Sequence, residues 1–450
     1  MKNMPRYAEY KDSGVEWLGE VPGHWGVDRL KRSVFSCQNG IWGNEAQQDN
    51  NDIPCVRVAD FDRQRLRVVF NEPTIRNVSE KERIGRALQH GNLLIEKSGG
   101  GENQLVGCVV LYDVSHTAIC SNFIARIQLA SEMSSSFWRY VHAAIYAVRL
   151  NYKSIKQTSG IQNLDESQYF DERVAFPPLP EQSVIAAFLD RETGKIDALV
   201  AEQEKLIALL KEKRQAVISH AVTKGLNPDA PMKDSGIEWL GEVPEHWRVI
   251  PMKYLVHLRS GGTPSKEVSE YWNGALPWAS AKDIKSDLLA DTEDHITEYA
   301  IEQGAATLLE VGVILVVVRG MILARDFPIT ITCAPMAINQ DLKAIVPVRQ
   351  LMTIFFAWFL RGTARETLCR LDESGHGTKA LRMDAWTSLE VTVPPLPEQS
   401  TIVAYLDQQT AQFDTLTFEA QRAIDLLKER RTALISAAVT GKIDVRGMVP

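Results

Sequence analysis

The apolar positions of this chain follow two different rhythms. From Leu189 they return every seventh residue, at Ile196, Leu210 and Val217, with Leu199 and Leu206 between them. From Leu406 the same interval gives Phe413, Leu427 and Leu434, with Leu416 and Ala423 between. The polar exception is Gln203, matched by Ala420 in the second row. Charged runs flank both rows, Lys211-Glu212-Lys213-Arg214 and Lys428-Glu429-Arg430-Arg431. A sustained heptad with charged flanks predicts a coiled-coil seam on each of two helices. Each helix would run for about 35–40 residues, or about 50–60 Å. Pro177, Pro178 and Pro180 give an extended lead-in, Glu181 and Gln182 suit a first turn, and Gly225 and Gly441 supply C-terminal stops. One long amphipathic helix is usually a wall of a core. Two equivalent ones, each following a module, are more simply explained as packing on each other as a rod.

Elsewhere the apolar runs are short and β-branched. Ile53 to Val58, Leu105 to Tyr112, Ile314 to Val318 and Ile329 to Thr332 read as strands between turn residues. Helices are expected at Phe137–Leu150 and Leu351–Leu371, and Asn227–Pro231 reads as a linker. The stretches between the heptad rows are therefore mixed α/β.

The chain also repeats itself. KDSGVEWLGEVPGHW at 11–25 returns as KDSGIEWLGEVPEHW at 233–247, with thirteen of fifteen positions identical at an offset of 222. PPLPEQSVIAAFLD from Pro177 returns as PPLPEQSTIVAYLD from Pro394, at an offset of 217. The middles have diverged, although IPCVRVADF (53–61) still aligns with LPWASAKDI (276–284). The domain division is an opening segment 1–25, a variable domain 26–176, a helix segment 177–225, a linker with the repeated opening 226–247, a second variable domain 248–393, a second helix segment 394–442 and a tail 443–450. Constant ends around a varied middle imply two similar modules that read different things.

Composition narrows the class. A net charge of -7, with 45% apolar and 24% charged residues, describes a globular chain and excludes a uniformly basic nucleic-acid coat. Six scattered cysteines without a Cys-x-x-Cys pair argue against a zinc site and a disulfide scaffold. The N-terminal MKNMPRYAEYKDSG has no apolar signal core, and the longest apolar runs are about half the roughly 20 residues a membrane helix needs. A soluble, cytoplasmic protein with no membrane association is expected.

Enzyme signatures are missing. There is no G-x-x-x-x-G-K-[ST], H-E-x-x-H, G-x-S-x-G or [DN]-P-P-[YF], and Ser98-Gly99-Gly100-Gly101 fails the G-x-G-x-x-G pattern. No catalytic residue and no metal site is therefore assigned. Binding residues are easier to find. Arg63, Arg65 and Arg67 would share one face of a strand and suit phosphates or guanine edges, and a solvated strand face accounts for them equally well. The donor-rich run Asn151 to Gly160, with Lys153, Lys156 and Gln157, reads as a loop laid along a sugar–phosphate backbone or as an ordinary exposed loop. Ser374-Gly375-His376-Gly377-Thr378-Lys379 holds the matching place in the second module. Asn39-Gly40-Ile41-Trp42-Gly43-Asn44 and Arg259-Ser260-Gly261-Gly262-Thr263-Pro264-Ser265 form equivalent early loops, with Trp42 either buried or available.

Two variable middles, each closed by P-P-L-P-E-Q and a long helix ending L-L-K-E-[KR]-R, resemble the specificity subunit of type I restriction–modification systems. The opening G-[VI]-E-W-L-G-E-V-P-x-H-W resembles that family too, and the likeness covers essentially the whole chain. It implies an α+β fold: two mixed α/β target recognition domains separated by two long helices in an antiparallel coiled coil, related by a pseudo-two-fold repeat. It implies a non-catalytic subunit that reads a bipartite, asymmetric site in double-stranded DNA. Its partners would be methyltransferase subunits, two of them, and restriction/translocase subunits. No cofactor would bind this chain; S-adenosylmethionine, ATP and magnesium would serve the partners. The candidate DNA contacts are then Asn39, Trp42, Asn44, Arg63, Arg65, Arg67, Lys97, Ser98, Asn122, Lys153, Lys156 and Gln157 in the first domain. In the second they are Thr263, Ser265, Ser280, Lys282, Arg319, Asn339, Gln340, His376 and Lys379. The first domain departs from the family's Gly-Gly-Thr-Pro-Ser and Asn-Gln-Asp motifs, carried here by Gly261 to Ser265 and Asn339 to Asp341. The alternatives are a scaffold whose middles bind proteins, or a stand-alone nuclease or methyltransferase with unrecognised motifs.

Overall fold

A computed structural model describes residues 4–101, 104–158, 160–374 and 378–448. The chain forms two compact units, Met1–Glu204 with Gln421–Pro450, and Lys205–Ala420. The division cuts both long helices, Leu179–Lys224 and Leu396–Val439, so each unit holds the start of one and the end of the other.

The first unit is built on a six-stranded sheet ordered Val34–Asn39, Ile124–Leu129, Asn92–Glu96, Val109–Tyr112, Arg67–Val68 and Phe61–Asp62. Its helix Ser135–Ala147 packs on the Val109–Tyr112 strand. The second unit repeats the design with Val256–Ser260, Leu342–Pro347, Ile314–Val317, Ile329–Thr332 and Leu288–Leu289, and helix Thr353–Gly362 packs on Ile329–Thr332. In both, a strand buried on both faces (Leu93, Leu94 and Ile95; Ile314, Leu315, Val316 and Val317) forms the middle of the core. The expected helix Leu351–Leu371 is two helices, interrupted at Thr363. There Gly362 lies against Val222 and Ser219 of the long helix, where a Cβ would meet Val222 Cγ2 at 2.9 Å. The long helices have 46 and 44 residues, more than the spacing predicts, and each begins two residues before its Glu-Gln pair, with Pro180 and Pro397 in the first turn, where no amide donor is needed.

The constant ends of the repeat meet at one junction in each unit. In the first, His24 Nε2 lies 2.8 Å from Glu181 Oε2, Trp25 packs under Gly441, and Lys442 Nζ donates to the Glu20 carbonyl at 2.7 Å. In the second, His246 and Glu398 are 2.8 Å apart, Trp247 packs under Gly225, and Lys224 Nζ donates to the Leu240 carbonyl at 2.7 Å. Each opening segment thus ties the start of one helix to the end of the other, which requires them to run antiparallel. The glutamine of P-P-L-P-E-Q has a second duty. Gln182 Oε1 accepts from Ser134 N and Gln399 Oε1 from Met352 N, which anchors the entrance of each domain helix.

The helix seam differs from expectation in one register. Leu189, Ile196, Leu210, Leu406, Phe413 and Leu434 are buried, and Val217 and Leu427 are half-buried. The intervening positions are Thr193, Val200 and Ile207, not Leu199 and Leu206, and in the second helix Thr410, Thr417 and Ile424. Leu206 is exposed, as are Leu199, Leu209, Leu416 and Leu426. A spacing of three or four residues fits a seam equally in sequence, and only the partner helix decides which side turns inward. Arg214 and Arg431 continue the seam and close on Asp414 (3.5 Å) and Asp197 (3.2 Å). The 217-residue offset carries one ion pair onto the other, so the two units share one helix register.

Candidate nucleic-acid interface

The early loops of the two units have the same geometry despite different residues. Gly40 and Gly261 each press against two carbonyls, of Cys120 and Ser121 and of Ile338 and Asn339, leaving no room for a Cβ. Ile41 N donates to Cys120 O at 2.8 Å and Gly262 N to Ile338 O at 2.9 Å. Strand Asp52–Val56 runs parallel to Ile119–Cys120, as Trp272–Ala279 does to Ala337–Ile338. The following turns match too: Arg57 N donates to Asp60 Oδ2 at 2.7 Å and Ser280 N to Asp283 Oδ2 at 2.8 Å. A small three-stranded sheet completes each site, Ser98–Gly99 with Ile161–Leu164 and Ile155–Thr158, and Arg319–Gly320 with Thr378–Leu381 and Leu371–Ser374.

In the first unit this brings together Asn39, Trp42, Lys97, Ser98 and Asn122. Lys97 Nζ reaches Asn39 Oδ1 and Glu166 Oε1, both at 2.5 Å, and Ser98 Oγ donates to Asn163 Oδ1 at 2.6 Å. Lys156 pairs with Asp165 at 2.7 Å, while Lys153 and Gln157 are exposed on the neighbouring segment. Asn44 sits apart, on a two-residue strand paired with Thr74–Asn77. In the second unit Thr263 bonds Gln340, Arg319 pairs with Asp341 at 2.9 Å, and Lys379 lies across the ladder from Gly320. Ser265 accepts Glu267 N and its carbonyl takes Trp272 Nε1, Ser280 caps its turn, and Lys282 pairs with Glu293 and Asp294. Asn339 is buried and accepts Asp341 N, a structural task. His376 lies outside the described residues.

The arginine stripe is not formed. Arg63 to Leu66 make a turn between Phe61–Asp62 and Arg67–Val68, with Leu66 at φ 57°, so alternation along a strand does not apply. Arg63 pairs with buried Glu96 at 2.7 Å, Arg65 with Asp62 at 3.8 Å and Arg67 with Asp113 at 2.6 Å. The neighbouring Gln64 bonds Asp197 of the long helix, so this hairpin braces the domain on its helix. Burial raises the Glu96 carboxyl above its ordinary range, opposed by Arg63. The sequence pointed to Ser121-Asn122-Phe123 near the place of the Asn-Gln-Asp motif, but not to the exposure of Phe123 or to a partner for Trp42. Phe123 is exposed beside Asn122, and Arg76 stacks on Trp42 with Cζ 4.5 Å from the ring centroid. Only the fold brings residues 42, 76 and 123 together. Apart from the exposed Lys153, both surfaces are thus made largely of hydrogen-bonding groups and already-paired cations, a chemistry suited to reading base edges more than to gripping phosphates.

Among the described residues no helix is long and apolar enough to cross a membrane, and no cluster of three or more metal-ligating side chains occurs. The sequence family described as type I restriction modification DNA specificity domain matches residues 244–425. A specificity subunit of the type I restriction enzymes EcoR124I/EcoR124II from Escherichia coli is 28% identical over 257 residues, 56% of this chain and 58% of that protein. The MjaIX specificity subunit of Methanocaldococcus jannaschii is 27% identical across 37% of this chain and 39% of its own length. These alignments thus span about half or less of either relative. The putative MjaX specificity subunit of that organism aligns over 95% of this chain and 96% of its own length at 20% identity. Two solved structures share the fold. One, from work on assembly and conformational transition of the type I R-M system, has a TM-score of 0.69 at 16% identity, over 93% of this chain and 98% of its own. The other, the HsdS subunit from Thermoanaerobacter tengcongensis, has a TM-score of 0.51 at 15% identity, over 94% and 98%.

Proposed function

We infer that this chain, which belongs to the family of type I restriction–modification DNA specificity subunits, reads a split DNA site with one variable domain per half-site. The observation that carries this reading is the pair of early loops with matching glycine contacts and hydrogen bonds. Gly40 and Gly261 hold the same backbone, while Trp42 and Asn122 in one unit stand where Thr263 and Gln340 stand in the other. One scaffold with two sets of polar side chains is what two different half-sites need. Paired cations at these loops and a net charge of -7 leave little free positive charge for phosphates. Binding by the isolated chain is therefore weak and only shallowly salt-dependent, and partner subunits supply the phosphate contacts and the steeper salt dependence of the complex.

The chain performs no chemistry itself. Methyltransferase subunits dock on the outward apolar side chains of the long helices, Leu199 and Leu426 in one unit and Leu206, Leu209 and Leu416 in the other. The repeat makes these two faces equivalent, hence two methyltransferase subunits. Those subunits use S-adenosylmethionine, and the restriction/translocase subunits use ATP and magnesium. Selection of bound DNA from a random library, with and without the co-expressed methyltransferase, tests the reading. A bipartite consensus with two unlike halves is expected. A chain that enriches no sequence but captures proteins would make it a scaffold, and methylation or cleavage by the chain alone would make it an enzyme.

A further inference from the structure

Behind the candidate contacts Trp42, Ser98 and Asn122 the first unit carries a cavity of about 850 Å³, whose depth the reading of a surface loop does not use. It lies beside the glycine run Ser98 to Gly101 and is bordered by Trp42 and Phe123. Both rings are solvent-facing, 39% and 44% exposed. Trp42 is held in place: Arg76 stacks on it and donates Nε to the Trp42 carbonyl at 3.0 Å and Nη2 to the Gly43 carbonyl at 3.1 Å. The Phe123 backbone is fixed by its carbonyl, which accepts from Lys97 N at 2.8 Å and Ser98 N at 3.2 Å. Exposed aromatic rings are common singly, but two on one cavity, with the larger pre-oriented by a cation, make a stacking site. The polar lining fits a base edge as well. Asn122 offers an amide, and the buried Arg57 Nε has no hydrogen-bond partner among the described residues. An unmet buried donor costs free energy until an acceptor reaches it. The volume falls within the roughly 300–1,000 Å³ range of small-molecule sites and has room for a nucleobase.

At the two matching loop positions the second unit carries no aromatic ring, and its Trp272 and Trp278 instead donate Nε1 to the Ser265 and Gly262 carbonyls of the loop. Its shared loop geometry places Thr263 at the position of Trp42 and Asp341 at that of Phe123. We propose that the first unit reads its half-site by drawing one base out of the stack into this cavity, against Trp42 and Phe123, while the second unit reads stacked DNA. The inference rests on the DNA-reading function above. Unstacking one step costs free energy, and base–aromatic stacking with a new acceptor for Arg57 offsets it.

The test uses the full chain assembled with its methyltransferase on the selected DNA. 2-Aminopurine is walked through every position of both half-sites. Wild type is compared with Trp42→Thr and Phe123→Asp, which install the second unit's residues, and with Trp42→Phe, which keeps a ring. One position in the first half-site is expected to change its emission on binding in wild type and Trp42→Phe, and not in Trp42→Thr or Phe123→Asp. Affinity for that half-site falls roughly tenfold in the last two, with discrimination at the second half-site unchanged. Because both rings are at the surface, unfolding temperatures should match wild type. If wild type selects and binds its site but no position responds to either ring, the inference fails and the DNA-reading function stands. If wild type selects no DNA at all, both fail.

Discussion

Glu181 and Glu398 occupy equivalent places, yet their surroundings set different costs for removing them. Glu181 is buried and accepts Tyr7 Oη at 2.6 Å as well as His24, with Arg446 stacked on Tyr7. Glu398 is half-buried, and His246 is the partner shown for it. Each buried donor left unpaired costs about 1–3 kcal/mol, so Glu181→Ala should lower the unfolding temperature clearly and Glu398→Ala only slightly. Equal shifts in a thermal scan would refute this account of the junction. His142 gives a pH dependence. It is wholly buried in the first unit, with Nδ1 2.7 Å from Tyr169 Oη, and burial drives its pKa down to about 3. The folded state therefore holds the neutral ring while the unfolded chain takes a proton near pH 6.5. Its stabilising share is complete above pH 6.5 and is lost as pH falls toward 3, at up to about 1.4 kcal/mol per unit. Unfolding free energy measured from pH 7 to 4.5 should fall less steeply in His142→Gln, by close to one proton. Parallel slopes would show that His142 titrates freely in the fold.

At the scale of the element, the helix seam and the helix exterior make opposite predictions for neighbouring leucines. Leu210 lies in the seam, and a glutamate there buries a charge without a partner, at a cost of several kcal/mol. Leu206, four residues away, faces out. Leu210→Glu should lower the unfolding temperature and abolish capture of the methyltransferase. Leu206→Glu should fold as wild type and lose only capture, as read by circular dichroism and co-purification. A Leu206→Glu chain that unfolds would put this side chain in the seam after all. The ion pairs Asp197–Arg431 and Asp414–Arg214 pin the register at repeat-related places. The first is nearly closed from solvent and the second open on its aspartate side. Asp197→Asn should therefore cost more stability than Asp414→Asn, since exposed pairs contribute at most about 1 kcal/mol.

For the whole molecule, the repeat predicts that its halves are exchangeable. Replacing residues 26–176 with the matching segment of another family member should change one half-site and leave the other intact. A change in both halves, mapped by methylated adenines, would show that the domains do not read independently. Residues 1–231 hold one opening segment, one domain, one long helix and the linker, and so should pair as a two-fold homodimer. Asp197 of one copy then meets Arg214 of the other, the repeat equivalent of the native Asp197–Arg431 pair. Such a dimer directs methylation to a palindrome of the first half-site. A monomer in sedimentation would refute the equivalence.

Much of this architecture was legible in the residues alone. Periodicity and repetition are local records: a heptad needs only its own helix to be visible, and thirteen matched positions at an offset of 222 need no fold at all. They determined two units, two long helices, mixed α/β middles and the absence of known catalytic motifs. What the tertiary structure decided were matters of facing and pairing. The seam side of each helix depended on its partner, which turned Val200 and Ile207 inward and Leu199 and Leu206 outward. The arginines of 63–67 became braces because carboxylates from distant segments, Glu96 and Asp113, meet two of them. Trp42, Arg76 and Phe123 converge only once strands far apart in sequence are laid side by side. Sequence patterns record which side chains prefer burial; which groups they meet there is set by long-range packing.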